Sequence, residues 1–140
     1  SDVATASTLT LAADTISVIN YTGAAACTAT LPAATAGTIV IYCQSKDTTG
    51  GTATLVFDAA GSDVWATGSV IESRASNEVT FDTSAASETK LTFTPANAAT
   101  NLLTTGGQIA FICYEDATWH IATKLAAETT QVTGAFVFAA

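Results

Sequence analysis

Residues 8–20, TLTLAADTISVIN, alternate apolar and hydroxyl-bearing side chains on both sides of a short Ala12-Ala13-Asp14 break. A period of two places every second side chain on one face of an extended chain, so the stretch predicts two strands. Residues 27–31 repeat the alternation until Pro32, which lacks a backbone donor, ends it. The next run, residues 39–43, is apolar on both faces. Residues 45–51 are polar and close on paired glycines, which predicts a turn, with residues 52–57 returning as the second strand of a hairpin. Residues 59–77 are rich in glycine and serine around Trp65 and predict a long loop; alternation resumes at 78–82 and 90–94. Pro95 and the alanines after it predict one helical turn over 95–103. Residues 131–138 close the series, with Val132, Phe136 and Phe138 on one face and Val137 on the other.

Residues 106–121, GGQIAFICYEDATWHI, pack nine apolar side chains around Glu115-Asp116. Carboxylates between two strand-like runs mark a hairpin turn. The segment from Gly107 to Cys113 echoes the one from Gly37 to Cys43, 70 positions earlier. Such an echo suits similar strands in corresponding positions of two halves of a fold. Eight to ten short strands with almost no helix predict an all-β, antiparallel β-sandwich of jelly-roll-like form. A single sandwich domain is expected over 7–140, after a flexible N-terminal arm at 1–6.

Composition changes this picture in one respect. Charged residues are 11% of the chain against 49% apolar, and Ala and Thr together supply about four residues in ten. Threonine is β-branched and faces water without a charge, so much of the surface is hydroxyl-clad strand. Four basic residues and a net charge of −8 oppose binding to nucleic acid or anionic lipid, and no apolar run approaches the ~20 residues that span a bilayer. The first six residues lack the pattern of an export signal. Cys27, Cys43 and Cys113 all fall in strand-like segments and read as free thiols.

The residues of catalytic chemistry are sparse. A hydrolytic triad needs an imidazole base, and His120 is the sole histidine. In Trp119-His120-Ile121 the apolar neighbours share one strand face and His120 takes the other, toward solvent or a partner. The cysteines are too widely separated for a zinc site. Asp58, Ser62 and Asp63 do not make the twelve-position calcium loop and read as a solvated turn. Gly50-Gly51 and Gly106-Gly107 are turn glycines rather than a phosphate cradle. No catalytic, metal or cofactor site is expected.

Residues 28–57, TATLPAATAGTIVIYCQSKDTTGGTATLVF, followed by the hairpin at 106–121, resemble the β-rich surface domains of tailed-bacteriophage virions, both head decoration proteins and fibre tips. The likeness lies in the Leu31-Pro32-Ala33-Ala34 turn leading to Gly37 before an apolar strand, and in the Trp119-His120-Ile121 end of the hairpin. It implies a non-enzymatic virion protein, commonly a homotrimer, made in the host cytoplasm and bound to the major capsid protein on the outer capsid surface. The absence of a repeated stalk favours a compact decoration or cement protein over a fibre. A carbohydrate- or receptor-binding tip is the alternative, with Asp63, Trp65 and His120 as candidate contacts. Phe136, Val137 and Phe138 are the candidate oligomer or capsid contacts, because the chain is apolar there to its last residue.

Overall fold

A computed structural model describes residues 2–3, 7–48, 51–74, 79–95, 105–125 and 136–140, and no helix occurs among them. Two mixed sheets carry the fold. The first, with six strands, runs in the order β1 (Asp2–Val3), β3 (Thr15–Tyr21), β5 (Ile39–Gln44), β11 (Gln108–Glu115), β12 (Thr118–Leu125) and β7 (Val64–Trp65). The second, with five, runs β13 (Phe136–Ala139), β10 (Lys90–Phe93), β6 (Leu55–Asp58), β4 (Cys27–Thr30) and β2 (Ser7–Thr10). A separate ribbon pairs β8 (Val70–Arg74) with β9 (Val79–Thr83).

The first half of the chain winds back and forth between the sheets. Strand β2 lies in the five-stranded sheet, β3 in the six-stranded one, β4 returns beside β2, β5 beside β3, and β6 beside β4. A strand that comes back after crossing to the opposite layer runs in its original direction, so β2–β4, β4–β6 and β3–β5 are all parallel. The all-β sandwich expectation holds, but the sheets are mixed rather than antiparallel. For the same reason residues 45–51 do not close a hairpin: they open an arch carrying the chain from β5 in one sheet to β6 in the other. Antiparallel pairing is concentrated in the second half, in β5–β11–β12 and β6–β10–β13.

Other expectations are also corrected. The loop foreseen over 59–77 contains β7 and β8. The echoing segments are not counterparts in two halves; β5 and β11 are antiparallel neighbours, with Gln108 opposite Cys43 and Ile112 opposite Ile39. Within the supposed N-terminal arm, Asp2 and Val3 pair with Asn20 and Tyr21. The helical turn expected at 95–103 lies outside the described residues from 96 onward, as do residues 131–135 of the last predicted strand.

Alternation along the strands builds the core. Val40 and Tyr42 of β5, Ile109 and Phe111 of β11, and Trp119 of β12 point inward from one sheet; Leu55, Phe57, Leu91, Phe93, Phe136 and Phe138 meet them from the other. Phe57 bridges the layers, its ring 5.1 Å from Tyr42 and 5.1 Å from Phe111. Trp65 closes the edge, 5.5 Å from Phe111 and 5.7 Å from Phe138.

Two turn positions make opposite demands. Gly51, in the arch before β6, holds φ +105° against Gly23, and a Cβ there would overlap the Gly23 carbonyl. Ala117, in the β11–β12 turn, carries its Cβ at φ +64°. The left-handed region costs an L-residue ~1–2 kcal/mol and forced overlap a further ~1–3 kcal/mol. Gly51→Ala is therefore expected to destabilise the protein by about 2–5 kcal/mol, and Ala117→Gly to stabilise it by up to about 1 kcal/mol after the entropy lost by glycine. Thermal unfolding of both variants measures the two signs.

Candidate functional site

The β11–β12 hairpin is held by its turn as well as its ladder. Asp116 Oδ1 accepts a hydrogen bond from the Ala36 N–H at 2.9 Å, and Ala117 N–H donates to the Ala34 carbonyl at 2.9 Å. Trp119 is fully buried, and His120 lies on the opposite side of the strand, half-buried. The His120 ring meets Tyr114 edge-on, with centroids 4.9 Å apart.

His120 belongs to a larger feature, the outer face of the six-stranded sheet. Ladder registers set the outward side chains in rows: Ile16, Ile41 and Ala110 form one, and Ile39, Ile112 and His120 the next. Val18 and Cys43 start a third. Ile16 is 63% exposed, Val18 53%, Ile39 41% and Tyr114 65%. A shallow groove lies between Ile16, Ile39 and Ile41, beside Asp14 and Thr15. No charged side chain stands in these rows.

The other outer face differs. On the five-stranded sheet Thr8 and Thr28 are paired in register, as are Thr10 and Thr30, with Val56, Asp58, Lys90, Thr92 and the half-exposed Val137 on the strands beyond. A hydroxyl-bearing face is an ordinary wet surface; a face of exposed isoleucine and valine marks an interaction site.

At the margin of the apolar face, beside His120, a polar cleft of about 410 Å³ is lined by Thr67, Ser87, Glu115 and Thr118 together with Val64 and Trp65. Tyr114 adjoins it through His120. Among the described residues no three His, Cys, Asp or Glu side chains converge in a way that could hold a metal ion.

The candidate residues read from the sequence are dispersed. Trp65, foreseen as an exposed platform, is fully buried, because β7 pairs in parallel with β12 and carries it into the core. Asp63 is a structural acceptor: its Oδ2 takes the Ala34 N–H at 2.6 Å. Phe136 and Phe138 are core residues, since β13 pairs with β10 and turns both inward; only Val137 of that trio faces out, on the opposite sheet from His120. The residues missed were Ile16, Val18, Ile39, Ile112 and Tyr114. Their signal was present at 39–43, a run apolar on both faces, which a strand with one wet face does not need.

The buried Gln44 amide is engaged in the framework. Gln44 donates from Nε2 to the carbonyls of Tyr21 (2.8 Å) and Lys46, while its Oε1 accepts from Tyr42 Oη. Burial pushes both the Tyr21 and Tyr42 phenols far above their ordinary range, so they remain neutral donors. All three cysteines are free. Burial raises the Cys27 and Cys113 thiols, and Cys113 donates to the Glu115 carbonyl at 2.8 Å. No protein family, curated protein or solved structure matches the chain.

Thiolate, not thiol, attacks disulfide reagents, and only where the reagent can reach it. Cys43 sits on the outer face while Cys27 and Cys113 are shut in the core. Titration of the native protein with an aromatic disulfide is expected to give one fast equivalent, abolished by Cys43→Ser, with the other two appearing only on unfolding.

Proposed function

We propose that this chain is a non-enzymatic structural protein of a tailed-bacteriophage virion, which binds the outer surface of the capsid and cements or decorates it. The observation that carries this reading is the apolar centre of the outer face of the six-stranded sheet, where Ile16, Val18, Ile39 and Tyr114 stand exposed on a protein of net charge −8. Exposed apolar patches of this kind are protein-docking surfaces. Anchoring to a shell by an uncharged face tolerates salt, because the attraction comes from removing apolar area from water rather than from ion pairs. Asp63, Cys27, Cys113, Tyr21 and Tyr42 are engaged in folding contacts, which supports a role in assembly rather than in chemistry. The partner in this reading is the major capsid protein.

A second reading, a carbohydrate- or receptor-binding tip, is favoured by a different observation. The cleft beside His120 sets hydroxyls of Thr67, Ser87 and Thr118 and the carboxylate of Glu115 near an exposed aromatic ring, Tyr114. Sugar rings stack on such a ring while their hydroxyls meet polar groups.

Immunogold electron microscopy of purified particles, with antibody raised against the chain, separates the two. Gold distributed over the head surface is the expected result. Gold confined to fibre tips favours the sugar-binding reading, and particles without gold overturn both.

A further inference from the structure

We propose that the outer face of the six-stranded sheet is covered by the same face of a second copy of this chain, with the strands of the two copies running antiparallel. The inference rests on the reading of that face as a docking surface and names its occupant in the protein free of the particle, where the capsid protein does not yet cover it. Three observations carry it.

The first is self-complementarity. The rows Ile16–Ile41–Ala110 and Ile39–Ile112–His120 carry no fixed charge, and Asp14 stands at their margin, so a copy laid on these rows buries no unpaired ion at its centre. Few surfaces suit an uncharged apolar sheet better than another of the same pleat and twist, stacked ~10 Å away.

The second is area. Strands β3, β5, β11 and β12 contain 7, 6, 8 and 8 residues. At ~4.8 Å between strands and ~3.3 Å per residue they span roughly 19 by 23 Å, a flat footprint of about 450 Å² per copy. Two copies contribute roughly 900 Å² before side-chain relief is counted, which approaches the ~1,200–2,000 Å² of accessible surface buried by specific interfaces.

The third is the placement of charge at the ends of the face, which selects the symmetry. Asp14 bonds the backbone of Ile39 and Asp116 that of Ala36, so Asp14, Glu115 and Asp116 gather at one end. At the other end, where Gln44 meets Gly107, the backbone places two lysines, Lys46 and Lys124, with two acidic residues, Asp47 and Asp2, so that end is balanced where the first is wholly acidic. Three copies around an axis along the strands would bring three carboxylates from each to the same end. An antiparallel pair sets each acidic end over the end of its partner that carries Lys46. The contact is isologous and closes at two copies. The hydroxyl-bearing face of the other sheet then points outward on both sides of the pair.

Sedimentation equilibrium of the full chain at micromolar concentration tests this, alongside Ile16→Asp, a change at an exposed position whose folding is checked by circular dichroism. A mass of two chains is expected, with dimerisation weakened at least ~10-fold by the variant. Carbodiimide cross-linking of a ¹⁴N/¹⁵N mixture is expected to join Lys46 of one copy to Asp14, Glu115 or Asp116 of the other. A trimeric mass, a dimer indifferent to Ile16→Asp, or cross-links joining like ends overturns the antiparallel pair. A monomeric wild type whose Ile16→Asp variant loses particle binding overturns the second copy but leaves the docking face standing. A monomer whose variant still decorates particles overturns both.

Discussion

Phe57 and Phe111 meet across the sandwich at 5.1 Å, and the arrangement of both sheets depends on that contact. Phe57 comes from β6, the last strand of the winding half, and Phe111 from β11, the centre of the hairpin half. Tyr42 and Trp65 extend the contact to either side. The indole N–H groups of Trp65 and Trp119 find no hydrogen-bond partner in this interior. An unpaired buried donor costs about 1–3 kcal/mol. Removing 150–250 Å² of aromatic surface from water at ~25 cal/mol per Å² returns about 4–6 kcal/mol. Burial wins, so the core tolerates the unmet donors.

Winding between layers creates a polar problem that hairpins avoid. Where β3 and β5 end together, the chain leaves the sheet in both strands at once, and carbonyls that would continue a ladder are left inside. Gln44 answers this by donating to the Tyr21 and Lys46 carbonyls and accepting from Tyr42 Oη. An amide offers two donors and an acceptor from one side chain, which a hydroxyl does not. The Tyr21 hydroxyl likewise donates to the Ala53 carbonyl, fastening the next arch. The bonds of Gln44 to Tyr21 and Tyr42 are buried and the other two half-buried, so a satisfied network here holds the arches in one arrangement.

How much of this was legible follows from which forces are local. Period-two alternation is set by the pleat, so β2, β3, β4, β5, β10 and the β11–β12 hairpin could be read from residue order alone, as could the inward Trp119 and outward His120. Pairing direction is not local. The Gly50-Gly51 signal was read as a hairpin, yet positive φ at Gly51 serves a close approach to Gly23 in a neighbouring arch, which no window of sequence contains. Trp65 lay in a glycine-rich stretch and looked exposed; two residues of parallel pairing with β12, too short to show alternation, bury it. Phe136 and Phe138 were correctly placed on one face, but which side that face met depended on β10, more than forty positions away.

The contrast between the two outer faces is where composition becomes informative. Both sheets turn apolar residues inward, but outward positions hold threonine on β2 and β4 and mainly isoleucine or valine on β3 and β5. Valine and threonine are nearly isosteric and equally suited to a strand, so strand formation does not explain the choice. The alternating chain visits both layers in turn, which means that successive strands, only a few residues apart, were assigned opposite surfaces. Fold stability does not require Ile16 or Val18 to be apolar, because each stands more than half in water in the single chain. Their apolarity acts only when something covers them. The two outer faces therefore differ in chemistry, hydroxyl-bearing on β2 and β4 and apolar on β3 and β5, although the core between them is shared.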